Sequence, residues 1–340
     1  QLSQRAGASL TLQAGSSEPG LLDPERNALT LGTGSRISVD PGQRINLRGA
    51  GQITVDGELN AWGGTIDIRQ QQFGSLNVAD ASQRADNDAH NRSIWIGEHA
   101  VLDAAGRAAT GVDALGQVYG LVGKGGNIII GGELDSRQAT ATAADAFVIV
   151  RNGARLDASG TQALLDIAGQ GPTVVATDGG RISLSSYNGL FIEGDLRATA
   201  GGVGAAGGRL DIALESPVYS RSDASNAVRV PREIIIGQGA GKTLLAADLQ
   251  AGEAAPSLQY GAARLSAEQL MSGGFDSLNV LSNGLLSFDG DVDLHMNQSL
   301  SLYAGALSLA EGSKDNARIN LSAPYLRLSG TGKYFDSPAD

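Results

Sequence analysis

The amino-acid sequence predicts an all-β chain wound as a parallel β-helix (a β-solenoid) with inserted loops. Two recurring phrases and one compositional anomaly point there. The first phrase, Gly63-Gly64-Thr65-Ile66-Asp67-Ile68, returns at residues 125–130, 179–184 and 207–212. The second sets a leucine two residues after a turn glycine, as in Gly57-Glu58-Leu59-Asn60-Ala61. It returns at 130–135 and 194–198, and at 152–158 with one more residue before the leucine. Self-similarity of this kind marks a repeat architecture. The anomaly is glycine: 48 of 340 residues, with no Gly-X-Y period and only 9 prolines. That is about twice the average usage and fits short strands closed by many tight turns.

Taken in order, residues 9–31 read as strand, loop (15–23) and strand. Arg36-Ile37-Ser38-Val39, Arg44-Ile45-Asn46-Leu47, Gln52-Ile53-Thr54-Val55 and Thr65-Ile66-Asp67-Ile68 then alternate polar and aliphatic residues, the pattern of strands buried on one face. Asp40-Pro41-Gly42, Gly49-Ala50-Gly51 and Trp62-Gly63-Gly64 separate them with good turn chemistry. Six insertions follow, at 79–92, 105–123, 136–146, 160–178, 215–231 and 247–263, each followed by a return to the phrase. Loops this long are expected to bulge from the turns of a solenoid. From residue 264 the strands run on with short turns, so 1–263 and 264–340 read as two stretches of one helix. Helical periodicity is confined to a turn or two within 262–271. Rungs of about 20 to 25 residues give about a dozen rungs and a rod ~60 to 70 Å long at the spacing of adjacent strands. A propeller would need regular four-stranded blades and more aromatic residues than the 4% present.

The net charge of −11 lacks the basic footprint of a nucleic-acid binder. Without cysteine there is no disulfide framework, thiolate metal site or cysteine nucleophile. No apolar run reaches 18 residues, and no signal peptide is visible in the opening Gln1-Leu2-Ser3. The opening falls mid-phrase, which is expected of a mature fragment or a piece of something longer.

The Gly-Gly-x-Ile-x-Ile and Gly-x-Leu-x-Ala phrases resemble the filamentous haemagglutinin family of large bacterial exoproteins exported by two-partner (type V) secretion. Gly274-Phe275-Asp276-Ser277-Leu278, with Leu321-Ser322-Ala323-Pro324-Tyr325, is similar to a segment from the interior of such proteins. The Asn-Pro-Asn motif of that family's secretion domain is absent, so the resemblance implies an interior piece of the rod. It further implies a right-handed β-helix, a secreted or outer-membrane-associated surface location and an outer-membrane transporter partner. Adhesion to a host, bacterial or matrix ligand, biofilm formation or toxin presentation are the implied roles. The lack of cysteine fits export through a pore in an unfolded state.

Chemistry-bearing residues read mostly as structure. Gly237-Gln238-Gly239-Ala240-Gly241-Lys242-Thr243 misses the phosphate-loop spacing by one, because Ile236 stands where glycine is needed. Residues 201–208 carry Ala206 where a calcium nonapeptide wants aspartate. Asp289, Asp291 and Asp293 alternate and would share a strand face. Hard oxygen ligands suit calcium, but no distal glutamate completes a site and a solvated acidic turn is the better reading. His90, His99 and His295 lie far apart. Asp67, Asp211 and Arg209 occupy the outward half of the repeat. Polysaccharide-cutting β-helices use such groups, but a catalytic group should appear once and these recur. No catalytic, cofactor-binding or metal-ligating residue is assigned, and the expectation is an adhesive or structural rod, not an enzyme. Self-association is expected wherever end rungs are left uncapped. A stalk for a distal toxin is the second reading, and a carbohydrate-active enzyme the third.

Overall fold

The computed structural model describes residues 7–15, 27–70, 92–215, 232–239 and 245–331. It is nearly all-β and dominated by parallel strand pairing. The strands fall into three ladders, which the chain visits in a fixed order. Ladder 1 holds nine strands: Leu10–Ala14, Arg44–Gly49, Thr65–Gln70, Asn127–Ile130, Arg181–Ser186, Gly208–Leu214, the first part of Phe275–Asp289, the first part of Ser299–Leu309, and Tyr325–Gly330. Ladder 2 holds Leu29–Leu31, Ile53–Val55, Ser93–Ile96, Phe147–Val150, Gly189–Ile192, Ala262–Ser266, Arg232–Gly237 and the second parts of the two long strands. Ladder 3 holds Arg36–Ser38, Glu58–Asn60, Val101–Asp103, Arg155–Asp157 and Asp195–Arg197, and a separate pair follows, Val292–His295 with Ile319–Ser322. Ladders 1 and 2 form one large parallel sheet because Phe275–Asp289 runs for 15 residues through both.

The repeat phrases explain the register. Ile66, Ile128, Ile182 and Leu210 pair in one column of ladder 1, and Ile68, Ile130, Leu184 and Ile212 in the next. Every one of these side chains is fully buried in a core shared by all three ladders. Each such burial is worth about 1.5–3 kcal/mol. The second glycine of each doublet serves the stacking. A Cβ on Gly126 would lie 2.2 Å from the Gly64 carbonyl, one on Gly180 1.8 Å from that of Gly126, and one on Gly208 2.2 Å from that of Gly180. Backbone rests directly on backbone at this corner, so only glycine fits.

Several expectations change. Ladder 1 spans eight strand spacings, about 40 Å, not the 60 to 70 Å of a dozen rungs, because insertions take up the remaining chain. The insertions at 105–123 and 160–178 are not irregular loops. They are antiparallel hairpins, Ala108–Val112 with Val118–Val122 and Gln162–Ile167 with Gly171–Ala176. The phrase copy at 130–135 does not join ladder 3. Leu134–Asp135 pairs antiparallel with Thr140–Ala141 in a small flap over ladder 1. The helical stretch begins later than 262. Ala262–Ser266 is a strand, and the helix is Ala267–Ser272, whose N-terminal cap is the Ser266 hydroxyl accepting from the Gln269 amide at 3.2 Å. This helix stands beside the last strand of ladder 3, where the Gln269 side chain donates to the Gly194 carbonyl.

Ladder 2 also contains an inversion of strand order. Arg232–Gly237 precedes Ala262–Ser266 in sequence, yet Ala262–Ser266 lies between it and Gly189–Ile192. The other neighbour of Arg232–Gly237 is the second part of Phe275–Asp289. Between the two inverted strands, residues 245–261 cross the outer face of ladder 2. There Leu245 and Leu249 cover Trp95, Phe147, Ile149 and Phe191. Ser93–Ile96 and Phe147–Val150 are therefore buried on both faces, which accounts for their unbroken apolar runs.

Candidate functional site

Two surfaces carry unusual chemistry. The first is the outer face of ladder 1. Asp67 is 3% exposed and Asp211 1% exposed, so both carboxylates sit under their neighbours and not in solvent as the outward pattern suggests. Asp67 accepts from Arg48 at 2.9 Å and from Arg69 at 2.7 Å. Asp211 takes Arg181 at 2.5 Å, Arg209 at 3.0 Å and the Asn279 amide at 2.7 Å. Glu133, carried on the small flap, joins the two groups by pairing with Arg69 at 2.6 Å and Arg181 at 2.9 Å. Burial opposes the charge on Glu133, but the Arg69 and Arg181 contacts outweigh it and hold the carboxyl below its ordinary range. The ion pairs run from strand to strand along the ladder, and each carboxylate is committed to arginines supplied by the repeat. Burying the acids is tolerable because each is paired and hydrogen-bonded.

The second surface is made by the hairpins. Both leave the corner between ladder 3 and ladder 1 on successive circuits, and they touch: the Val118 amide donates to an Asp166 carboxylate oxygen at 2.6 Å. In the first hairpin Asp113 builds the turn, its Oδ1 accepting from the amides of Leu115 and Gln117, with Gly116 at φ 81°. In the second, Leu164 and Val174 stand directly opposite on one face. The Tyr119 ring lies across Gly111, its cross-strand partner, where an added Cβ would come within 3.0 Å of it. Val112, Leu115, Tyr119, Leu121, Leu164 and Val174 are 49–84% exposed. Val203, in the turn of the next circuit, is fully exposed. Large apolar side chains in solvent are normal singly, and a group of them on adjacent elements makes this the candidate contact surface. Composition gave no hint of this group. The one local signal was turn chemistry, Gly116 and Gly169, with apolar residues such as Tyr119, Leu121, Leu164 and Val174 on either side.

The remaining candidates are placed as follows. Asp289, Asp291 and Asp293 do not share a strand face, because Gly290 turns the chain between the first and the others. Each serves a different donor: Arg264 on Asp289 at 3.1 Å, the Arg318 amide on Asp291 at 2.8 Å, and Asn320 on Asp293 at 3.1 Å. His99 is bound through Nδ1 to Asp56 at 3.1 Å, and His295 closes the strand Val292–His295. His90, residues 240–244 of the phosphate-loop-like stretch, and most of the insertions 79–92 and 215–231 lie outside the described residues. A cleft of about 360 Å³ beside the inverted strands is lined by Phe191, Ile235, Glu233 and Arg264. Its charged groups are already engaged, Glu233 by the Ser287 hydroxyl and Arg264 by Asp289. No family model matches the chain, and neither a curated protein nor a solved structure matches it.

Proposed function

We propose that the chain is an adhesive rod segment of a secreted or surface-displayed bacterial exoprotein of the filamentous haemagglutinin kind. In this reading the three ladders are the faces of a right-handed parallel β-helix. The handedness follows from the general rule that parallel strands of one sheet are joined by right-handed crossovers in about 98% of cases. The observation that carries the function is the pair of touching hairpins with six large apolar side chains in solvent. The ladders hold the hairpins rigidly at one corner, and the hairpins supply contact area to a cell-surface or matrix ligand. Apolar anchors on a rigid scaffold lose little entropy on binding, which favours this use over a purely structural one.

The test replaces Tyr119, Leu121, Leu164 and Val174 with serine and measures adhesion of the purified chain to cultured-cell monolayers. Because these side chains are solvent-exposed, thermal stability is expected to change by only about 0.5 kcal/mol per site, while adhesion falls sharply. Undiminished adhesion by the folded variant would sink the hairpin-contact reading. Absence of adhesion by the parent chain as well would favour a stalk.

A further inference from the structure

The segment that crosses the outer face of ladder 2 is a strap that the ladders do not hold by strand pairing. Residues 245–259 contain neither helix nor strand. Their amides donate within the segment, Leu249 to the Ala246 carbonyl, Glu253 to Gln250 and Leu258 to Ala255. The strap reaches far along the stack. Gly252 lies beside the Gln52 side chain, next to Ile53–Val55, so the strap spans five adjacent strands of ladder 2, about 20 Å. Both of its ends return to one place, because Arg232–Gly237 and Ala262–Ser266 pair with each other. Lifting the strap therefore breaks no ladder hydrogen bond.

Two kinds of contact hold it down. Leu245 and Leu249 are buried against Trp95, Phe147, Ile149 and Phe191, with Leu258 partly buried beside them. The other side of the strap faces water, where Asp248, Gln250, Glu253 and Pro256 are exposed. The second contact is Arg151. Its guanidinium lies over the Trp95 ring, 5.2 Å from the centroid, and donates through Nη2 to the carbonyls of Ala246 at 3.0 Å and Ala247 at 3.2 Å. Its Nη1 stands 3.8 Å from a Glu193 carboxylate oxygen. Hydrogen bonds from a guanidinium are among the stronger side-chain contacts. Tyr260, whose hydroxyl accepts from Arg232 at 3.2 Å, marks the fixed end.

We propose that residues 245–259 open and close as a unit over intact ladders, with Arg151 as the latch. Opening bares a strip of Trp95, Phe147, Ile149 and Phe191 on the outer face of ladder 2. Segments with few buried apolar contacts and no share in a sheet's hydrogen bonds open locally, at lower free energy than global unfolding. A strap held by two buried leucines and one guanidinium meets that description. The strands beneath it keep their neighbours throughout, because Ser93–Ile96 and Phe147–Val150 each pair on both sides within the sheet. The open strap thus leaves a formed apolar face and not an unfolded one. The inference is independent of what the hairpins bind.

The test uses the chain's lack of cysteine. Ile149 packs under the strap and Val148 in the core, and the two are neighbours in one strand. Ile149→Cys and Val148→Cys chains are labelled with a thiol reagent in urea below the unfolding transition. The thiol of the Ile149→Cys chain is expected to react at least ~10-fold faster. Its rate should hardly depend on urea, because strap opening exposes little surface. Arg151→Lys keeps a charge beside Glu193 but loses the guanidinium fork. It is expected to speed labelling of the Ile149→Cys chain about tenfold, the size of one hydrogen bond to a charged group. Ile66→Val, a distant core change, is expected to speed labelling of the Val148→Cys chain several-fold and leave that of the Ile149→Cys chain unmoved. One shared rate for the two thiols overturns the proposal, as does an Ile66→Val effect on both alike, since the strap then opens only with the ladders. No effect of Arg151→Lys removes the latch. If the cysteine chains misfold, native-state chymotrypsin cleavage of the otherwise unaltered chain decides. Cuts after Leu245 or Leu249, about tenfold faster with Arg151→Lys, are expected, and their absence overturns the proposal.

Discussion

At the scale of single residues, glycine and aspartate set the limits of the fold. Gly180 is packed against the backbone of the preceding circuit, so Gly180→Ala is expected to cost about 3 kcal/mol, the upper end of overpacking penalties. Gly32 meets nothing within 4 Å, and Gly32→Ala is the control, with an expected change within about 0.5 kcal/mol. Urea unfolding of both variants measures the difference, and equal destabilisation would remove the stacking explanation. Asp157 defines the acid limit. Burial works against its charge, yet the hydrogen bonds of Ser159 and the Arg155 guanidinium outweigh burial and hold the carboxyl below its ordinary range. A depressed folded value gives stability that is fully present above the unfolded value of about 3.9 and is lost as pH falls through the folded one. Thermal midpoints are therefore expected to hold steady down to about pH 5 and to fall below ~4. Asp157→Asn should be weaker at neutral pH and show a shallower acid limb. An unchanged acid limb in that variant would relieve Asp157 of this role.

At the scale of elements, the ladder strands were legible and the insertions were not. The columns through Ile66 and Ile68 were visible as alternation, because one buried face imposes a period of two. The doublet glycines marked a corner through their own repetition. The hairpins at 108–122 and 162–176 stayed hidden because their outer faces carry Leu121, Leu164 and Val174 in solvent, so burial imposes no polar–apolar contrast. The acids of ladder 1 look solvated in the sequence because Asp67 and Asp211 alternate with aliphatic residues. Two of the arginines that cover them, Arg48 and Arg181, come from neighbouring strands, which a single strand's pattern cannot show. The sequence places the short helix Ala267–Ser272 too early, since its cap at Ser266 is also the last residue of a strand. Ser266→Ala is expected to cost about 1 kcal/mol. Thermal melts read this directly, and no change would mean that the packing of Leu270 alone holds the helix.

At the scale of the whole molecule, the ladders bind neighbour to neighbour, so order can spread along the stack one circuit at a time. The inverted strands interrupt that progression. Every other ladder 2 strand up to Gly189–Ile192 lands on one already made, but both neighbours of Arg232–Gly237 come later in the chain. A polypeptide emerging amino end first from a ribosome or a pore must therefore leave Arg232–Gly237 waiting. Its first partner arrives with Ala262–Ser266 and its second with the end of Phe275–Asp289. A product cut short at Gly261 would contain that strand and neither partner. The inversion thus makes the pairing of one ladder 2 strand depend entirely on chain that follows it, through to Asp289.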